Sequence, residues 1–279
     1  MNKQPQPVDT PDILYKYRYF DEKGHHLKIL TKNELWFTPA NKFNDPFDSA
    51  LVFCYDDNPK GIMRLWVEKE VKQYYPTKCI GEMEKLVDKF LKKISRDKHI
   101  ESAKREYVRK NYDKFGMCSL TPNRSSLLMW SHYANKHEGF CIGFDTKKLS
   151  ELQEKLALED KLLDLQKIIC SNNVPQKNFF QTMLSDVDKQ NNDIIDLLIT
   201  KSNDWSYEDE YRLIYWYNIN TSLNLLKDTI KEIILGVRIS DENKEKIIRI
   251  VTENNRNCKI YQAIKSEEYF ELIFQEIKF

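Results

Sequence analysis

Glu208, Glu210 and Arg212, spaced two apart in the stretch Trp205-Ser-Tyr-Glu-Asp-Glu-Tyr-Arg-Leu-Ile214, are the densest set of side chains here suited to charge chemistry. Tyrosines and branched residues dominate the stretch, so it reads as a β-strand running from Tyr207 to Trp216. Alternation along a strand puts Glu208, Glu210 and Arg212 on one side, with Tyr207, Tyr211 and Leu213 on the other. Two carboxylates on one face repel, and a neighbouring guanidinium offsets that repulsion while fixing their orientation. The plain alternative is an edge strand with three solvated charges. Two further stretches weigh against it: Asn44-Asp45-Pro46-Phe47-Asp48, and Met129-Trp130-Ser131-His132-Tyr133 running on to His137 and Gly139. Asp45 and Asp48 read either as a structural turn around Pro46 or as the lining of a pocket. Trp130 and Tyr133, three apart on a short helix, make either core or a stacking surface for a planar ring.

The elements that must position these residues alternate irregularly. Strands are expected at Ile13 to Tyr19, Leu35 to Thr38, Phe115 to Leu120 and Phe140 to Asp145. More follow at Lys231 to Leu235, Lys259 to Ala263 and Tyr269 to Phe279. Short helices are expected around Gly24 to Leu30 and Arg124 to Ala134, and one near Asp241 to Val251 capped by Ser240. Met83, Leu86, Val87, Phe90, Leu91 and Ile94 repeat at helical spacing, as do Phe180, Met183, Leu184 and Val187 in a helix over 177–201. The charged outer face of the first reads as solvated, with a protein partner as the alternative. The pattern predicts one α+β domain over 13–279. It has a central, mainly antiparallel sheet and two peripheral helical insertions at about 61–114 and 147–203, after a disordered segment at 1–12.

Composition excludes several functions. Lys plus Arg (44) nearly cancels Asp plus Glu (43), so there is no global pull toward nucleic acid or a membrane surface. None of the 7 glycines falls in a dinucleotide fingerprint or a P-loop. No apolar run approaches the roughly 20 residues of a membrane span, and the polar start lacks a signal-peptide core, so a cytoplasmic protein is expected. The six cysteines are scattered without a CxxC pair, and His132 and His137 have no metal-motif spacing. No metal is expected.

Five ordered blocks carry a resemblance: Leu14-Tyr-Lys16-Tyr-Arg18, Leu35-Trp-Phe-Thr38, Asn44-Asp-Pro-Phe-Asp48, Met129 to Tyr133 through Gly139 to Asp145, and Trp205-x-x-Glu208-x-Glu210-x-Arg212. Together they resemble the bacterial domain-of-unknown-function family twenty-nine seventy-one, whose opening is similar to that of ADP-ribosyltransferase-type domains. The resemblance implies an ADP-ribosyltransferase-like fold and NAD as substrate, without a metal. It implies Glu210 and Glu208 as catalytic residues, and Lys16, Arg18, Asp45, Trp130, His132, Tyr133 and Arg212 around the NAD. Lys16 stands where the family carries histidine and Arg18 where it carries Thr or Ser, so Arg18 resembles the arginine of the toxin-like branch. Cleavage of the nicotinamide–ribose bond passes through an oxocarbenium-like state that a carboxylate stabilises. The implied roles are a transferase acting on a macromolecular acceptor or an NAD glycohydrolase, as a toxin or phage-defence effector. The alternatives are a ligand-binding sensor or interaction module of a bacterial defence system, and a metal-dependent nuclease using Asp45, Asp48, Glu208 and Glu210.

Overall fold

A computed structural model of the chain describes residues 10–49, 53–94, 106, 110, 114–254 and 257–278. Its strands in chain order are β1 (Ile13–Arg18), β2 (Glu34–Pro39), β3 (Phe53–Cys54), β4 (Phe115–Leu120), β5 (Phe140–Asp145), β6 (Leu163–Lys167) and β7 (Ile169–Ser171). They continue with β8 (Lys177–Asn178), β9 (Thr200–Ser202), β10 (Tyr211–Trp216), β11 (Thr221–Asn224), β12 (Ile230–Leu235), β13 (Lys259–Lys265) and β14 (Leu272–Ile277). The architecture is mixed α+β with mostly antiparallel sheets. Two compact units emerge, one from residues 1–42, 114–170 and 203–279, the other from 43–113 and 171–202. The expected disordered start falls largely on residues 1–9, and part of the first helical insertion on 95–113; apart from 106 and 110 these lie outside the described residues.

The first unit is built on two five-stranded sheets, ordered β1-β5-β12-β13-β14 and β11-β2-β4-β10-β6. Leu14, Phe140, Ile142, Phe144 and Ile233 from the first sheet share a core with Phe37, Leu120, Leu165, Leu213 and Tyr215 from the second. Full burial of each such side chain contributes about 1.5–3 kcal/mol, which holds the two sheets face to face. Helices Thr146–Ala157 and Asp241–Asn254 add Leu149, Leu152, Ile247 and Ile250 to the same core. The latter helix makes the crossover between β12 and β13, the parallel pair of this sheet. A bridge between Tyr15 and Thr121 ties one sheet to the other where they diverge. The opposite face of the first sheet presents Tyr15, Tyr17, Cys141 and Ile234, which are covered by Met129 and Trp130 of helix Leu127–Tyr133.

In the second unit, helices Ile62–Tyr74 and Ile80–Ile94 pack through Val67, Val71 and Val87, with Met83, Leu86, Phe90, Leu91 and Ile94 on the seam. The expected stripe is therefore the buried face of that helix. Phe53, Tyr55, Trp66, Phe179 and Phe180 form a second aromatic nucleus. The continuous helix expected over 177–201 is replaced by β8, helix Phe179–Leu184 and helix Val187–Leu198. Asp186 accepts a hydrogen bond from Lys189 N at 2.8 Å and starts a new helix, which leaves Val187 68% exposed rather than on an apolar stripe. Among the described residues no helix is long and apolar enough to cross a membrane.

Candidate functional site

The strand expected over 207–216 starts later than its sequence suggests. Asn203–Glu208 is a 3-10 turn, Asp209 takes a left-handed φ of 42°, and β10 begins only at Tyr211. Glu208 and Glu210 are thus presented by a turn and not by one strand face. Neither is solvated: Glu208 is 4% exposed, Glu210 5% and Arg212 0%. The solvated-edge reading fails with them.

Arg212 grips Glu210 with a fork, Nε to Oε1 at 2.8 Å and Nη2 to Oε2 at 2.9 Å. This two-pronged geometry is the strong form of a charge-assisted bond. Arg212 also approaches the thioether of Met117 at 3.9 Å, and its backbone pairs with Ser119 of β4. Lys16 reaches that residue from the other sheet, donating from Nζ to Ser119 O at 2.8 Å. Burial, and then the neighbouring Arg18 charge, hold the Lys16 ammonium below its ordinary pKa, while Glu210 pulls the other way.

Arg18 follows Lys16 by two residues and shares its strand face. Its half-buried guanidinium makes no hydrogen bond or ion pair with another described residue. Burial is the main influence lowering its pKa, yet guanidinium stays protonated in proteins. His26 adjoins it, with Nδ1 at 2.9 Å from Tyr19 O; burial, then Arg18, push its pKa down so that it favours the neutral form. Lys16 and Arg18 thus lie on one face of β1 near its end, with Glu210 acting on Lys16 and Asp21 acting on both Arg18 and His26.

A second arm comes from helix Leu127–Tyr133. Ser126 caps its start by accepting from Met129 N, and Tyr133 donates its hydroxyl proton to Glu208 Oε1 at 2.5 Å. The exposed His132 ring lies 6.3 Å from Tyr207, which lies 6.1 Å from Trp205. These three rings, tilted 41° and 39° to one another, gather beside Glu208 where the sequence suggested a stacking surface of Trp130 and Tyr133. Trp130 itself is fully buried: it packs edge-on against Tyr17 at 5.1 Å, and its indole N–H donates to Arg124 O at 3.0 Å. The core reading holds for Trp130, and it offers no face to a ligand. Tyr207, expected among apolar neighbours on the far side of a strand, belongs to the ring surface because the 3-10 turn rotates it there.

Asp45 and Asp48 lie in the second unit. Asp45 Oδ1 accepts from Phe47 N at 2.9 Å, the structural turn that Asn-Asp-Pro suggests, while its Oδ2 is buried with no hydrogen-bond partner among the described residues. Asp48 forms an ion pair with Lys201 at 3.6 Å and accepts from Ser49 Oγ at 2.9 Å. Among the described residues no group of three or more His, Cys, Asp or Glu is placed to hold a metal ion.

One buried cluster escaped the sequence reading. Glu232 accepts from Tyr15 OH at 2.8 Å and from Arg124 at 3.0 Å, and Arg124 lies 4.8 Å over the Phe274 ring. Burial, aided by Glu232, pushes the Tyr15 hydroxyl far above its ordinary pKa. Tyr15 and Glu232 are 217 residues apart in sequence, so no local spacing could announce the cluster.

Residues 129–213 match the family model described as "Protein of unknown function (DUF2971)". The match takes in Trp130, His132, Tyr133, Glu208, Glu210 and Arg212, and it supports the family resemblance of the sequence. No curated protein and no solved structure matches the chain.

Proposed function

We propose that the first unit binds an NAD-type dinucleotide beside the end of β1 and the start of β10 and cleaves the nicotinamide–ribose bond, as an ADP-ribosyltransferase-like enzyme or an NAD glycohydrolase. The observation that carries this reading is the guanidinium of Arg18 at the end of β1, on the strand face of Lys16, without a hydrogen bond or ion pair among the described residues and with only the carboxylate charge of Asp21 to favour it. Such a cation group suits a pyrophosphate. The rings of Trp205, Tyr207 and His132 suit a planar base. The Glu210 carboxylate, fixed in place by the two-pronged contact with Arg212, suits the negative charge that an oxocarbenium-like transition state requires. Glu208, bonded to Tyr133, is placed to orient the acceptor or an attacking water.

A second reading draws on the same geometry. Both glutamates already have strong partners, which suits a sensor or interaction module that binds the ligand without turnover. Nicotinamide release from NAD by the pure protein, with and without magnesium, separates the readings. The enzyme reading expects metal-independent release, reduced roughly a hundredfold in Glu210→Gln. It expects a raised KM in Arg18→Ala. Tight NAD binding without release would establish the sensor, and absence of NAD binding would overturn both.

A further inference from the structure

Helix Leu127–Tyr133 ends in an unusual turn: Asn135, Lys136 and His137 all adopt left-handed backbone, with φ of 45°, 54° and 73°. Non-glycine residues rarely adopt this conformation, and three in succession must be held there by their surroundings. Lys136 N donates to Ser131 O at 3.1 Å and His137 N to Trp130 O at 3.2 Å, so the turn satisfies carbonyls at the helix end. Arg238 N donates to His137 O at 2.9 Å and locks the turn to the segment after β12. The result lays the His137 ring parallel to the Trp130 indole, with centroids 6.1 Å apart and planes within 11°.

That turn forms one wall of a cavity of about 810 Å³. The volume lies in the range of small-molecule sites. β12 and β13 are parallel, so both deliver their carboxyl ends here, placing Arg238 just after one and Lys265 at the end of the other. Crevices beyond the carboxyl ends of parallel strands are recurrent ligand positions. The cavity shares no lining residue with the Arg18 and Glu210 site.

We propose that this cavity is a second ligand site, taking an anionic small molecule with a flat ring, of nucleotide size. Lys136, Arg238 and Lys265 line it without an ion pair among the described residues. Leu127 and Leu272 supply an apolar lining, and Tyr269 and Phe270 stand at its edge. Phe270 is 100% exposed, and an aromatic ring left entirely in water gains by stacking on a ligand. Glu267, Glu268 and Glu271 are exposed in the β13–β14 connection, on the same lining. Their charge repels an anion from that connection, which favours the Arg238 and His137 segments as the place of the anionic group. Burial and then Arg238 hold the His137 imidazole below its ordinary pKa, so it is neutral near pH 7 until an anion arrives.

The experiment is calorimetric titration of the full chain with ADP, adenosine and inorganic phosphate, combined with NMR titration of His137. ADP is expected to bind at least tenfold more tightly than either fragment and to move the His137 pKa upward. Lys136→Ala/Arg238→Ala, a pair of exposed residues, is expected to weaken ADP at least tenfold and to abolish the His137 response. Arg18→Ala is expected to leave the His137 response to ADP intact even where it weakens ADP at the proposed NAD site, which keeps the two sites distinct. Phe270→Ala is expected to weaken ADP and leave inorganic phosphate unchanged. Absence of ADP binding, loss of the His137 response to ADP in Arg18→Ala, or a His137 signal indifferent to ADP would each overturn the proposal.

Discussion

Replacing Glu210 by Gln tests the buried pair on which the candidate site is built. In the native protein both carboxylate oxygens meet Arg212, at 2.8 and 2.9 Å, with the arginine 0% exposed. Gln keeps the shape but turns one acceptor into an amide donor facing Nη2, and it leaves the guanidinium charge uncompensated where water does not reach. Lys16, whose charge Glu210 also favours, becomes harder to keep protonated. Breaking a buried pair from one side costs about 3–5 kcal/mol, because the surviving charge has lost its compensation. At about 2–4 °C per kcal/mol for a unit of this size, the melting temperature should fall by roughly 6–20 °C. The double variant Glu210→Leu/Arg212→Met removes both charges at similar volume and should recover most of that loss while remaining inactive toward NAD. Differential scanning calorimetry of the two variants, beside nicotinamide release, separates a stability role from a catalytic one. A Glu210→Gln protein melting within about 2 °C of wild type would refute the reasoning, as would a double variant no more stable than the single.

Two further outcomes follow from the packing. A Cβ at Gly139 would lie 2.1 Å from Arg18 O, a backbone atom that cannot move without parting β1 from β5. Gly139→Ala should therefore cost about 3 kcal/mol, read as a lower urea midpoint with an unchanged slope. Asp164 is pushed up by burial, against the opposing hydrogen bond from Trp216 Nε1 at 2.6 Å. A carboxyl whose folded pKa exceeds its unfolded value near about 3.9 carries a penalty at neutral pH, which disappears as pH falls through that folded pKa. Asp164→Asn should then be more stable than wild type at pH 7, with the advantage fading toward about pH 4; a pH-independent difference would contradict this.

The sequence by itself determined the α+β class, the antiparallel character and most of the strands. Short runs of apolar and aromatic residues are a local property, visible at Phe140–Asp145 and Phe115–Leu120, whose residues are nearly all buried. It also marked the helical stripe from Met83 to Ile94, and it picked out Glu208, Glu210, Arg212 and Tyr133 as members of one polar region. It did not determine how those residues face. Asp209 breaks the alternation with one left-handed residue, so Glu208 turns to Tyr133 while Glu210 turns to Arg212. β6 and β11 passed unread, since Leu163–Lys167 and Thr221–Asn224 are short and gain their pairing only from neighbours already in the sheet. Trp130 and Arg212 show what tertiary structure alone decides. An indole is equally suited to core or ligand, and a guanidinium to solvent or burial, until the face they occupy is covered. Burial depends on which distant segments pack against a residue, and that cannot be read from its immediate neighbours in sequence.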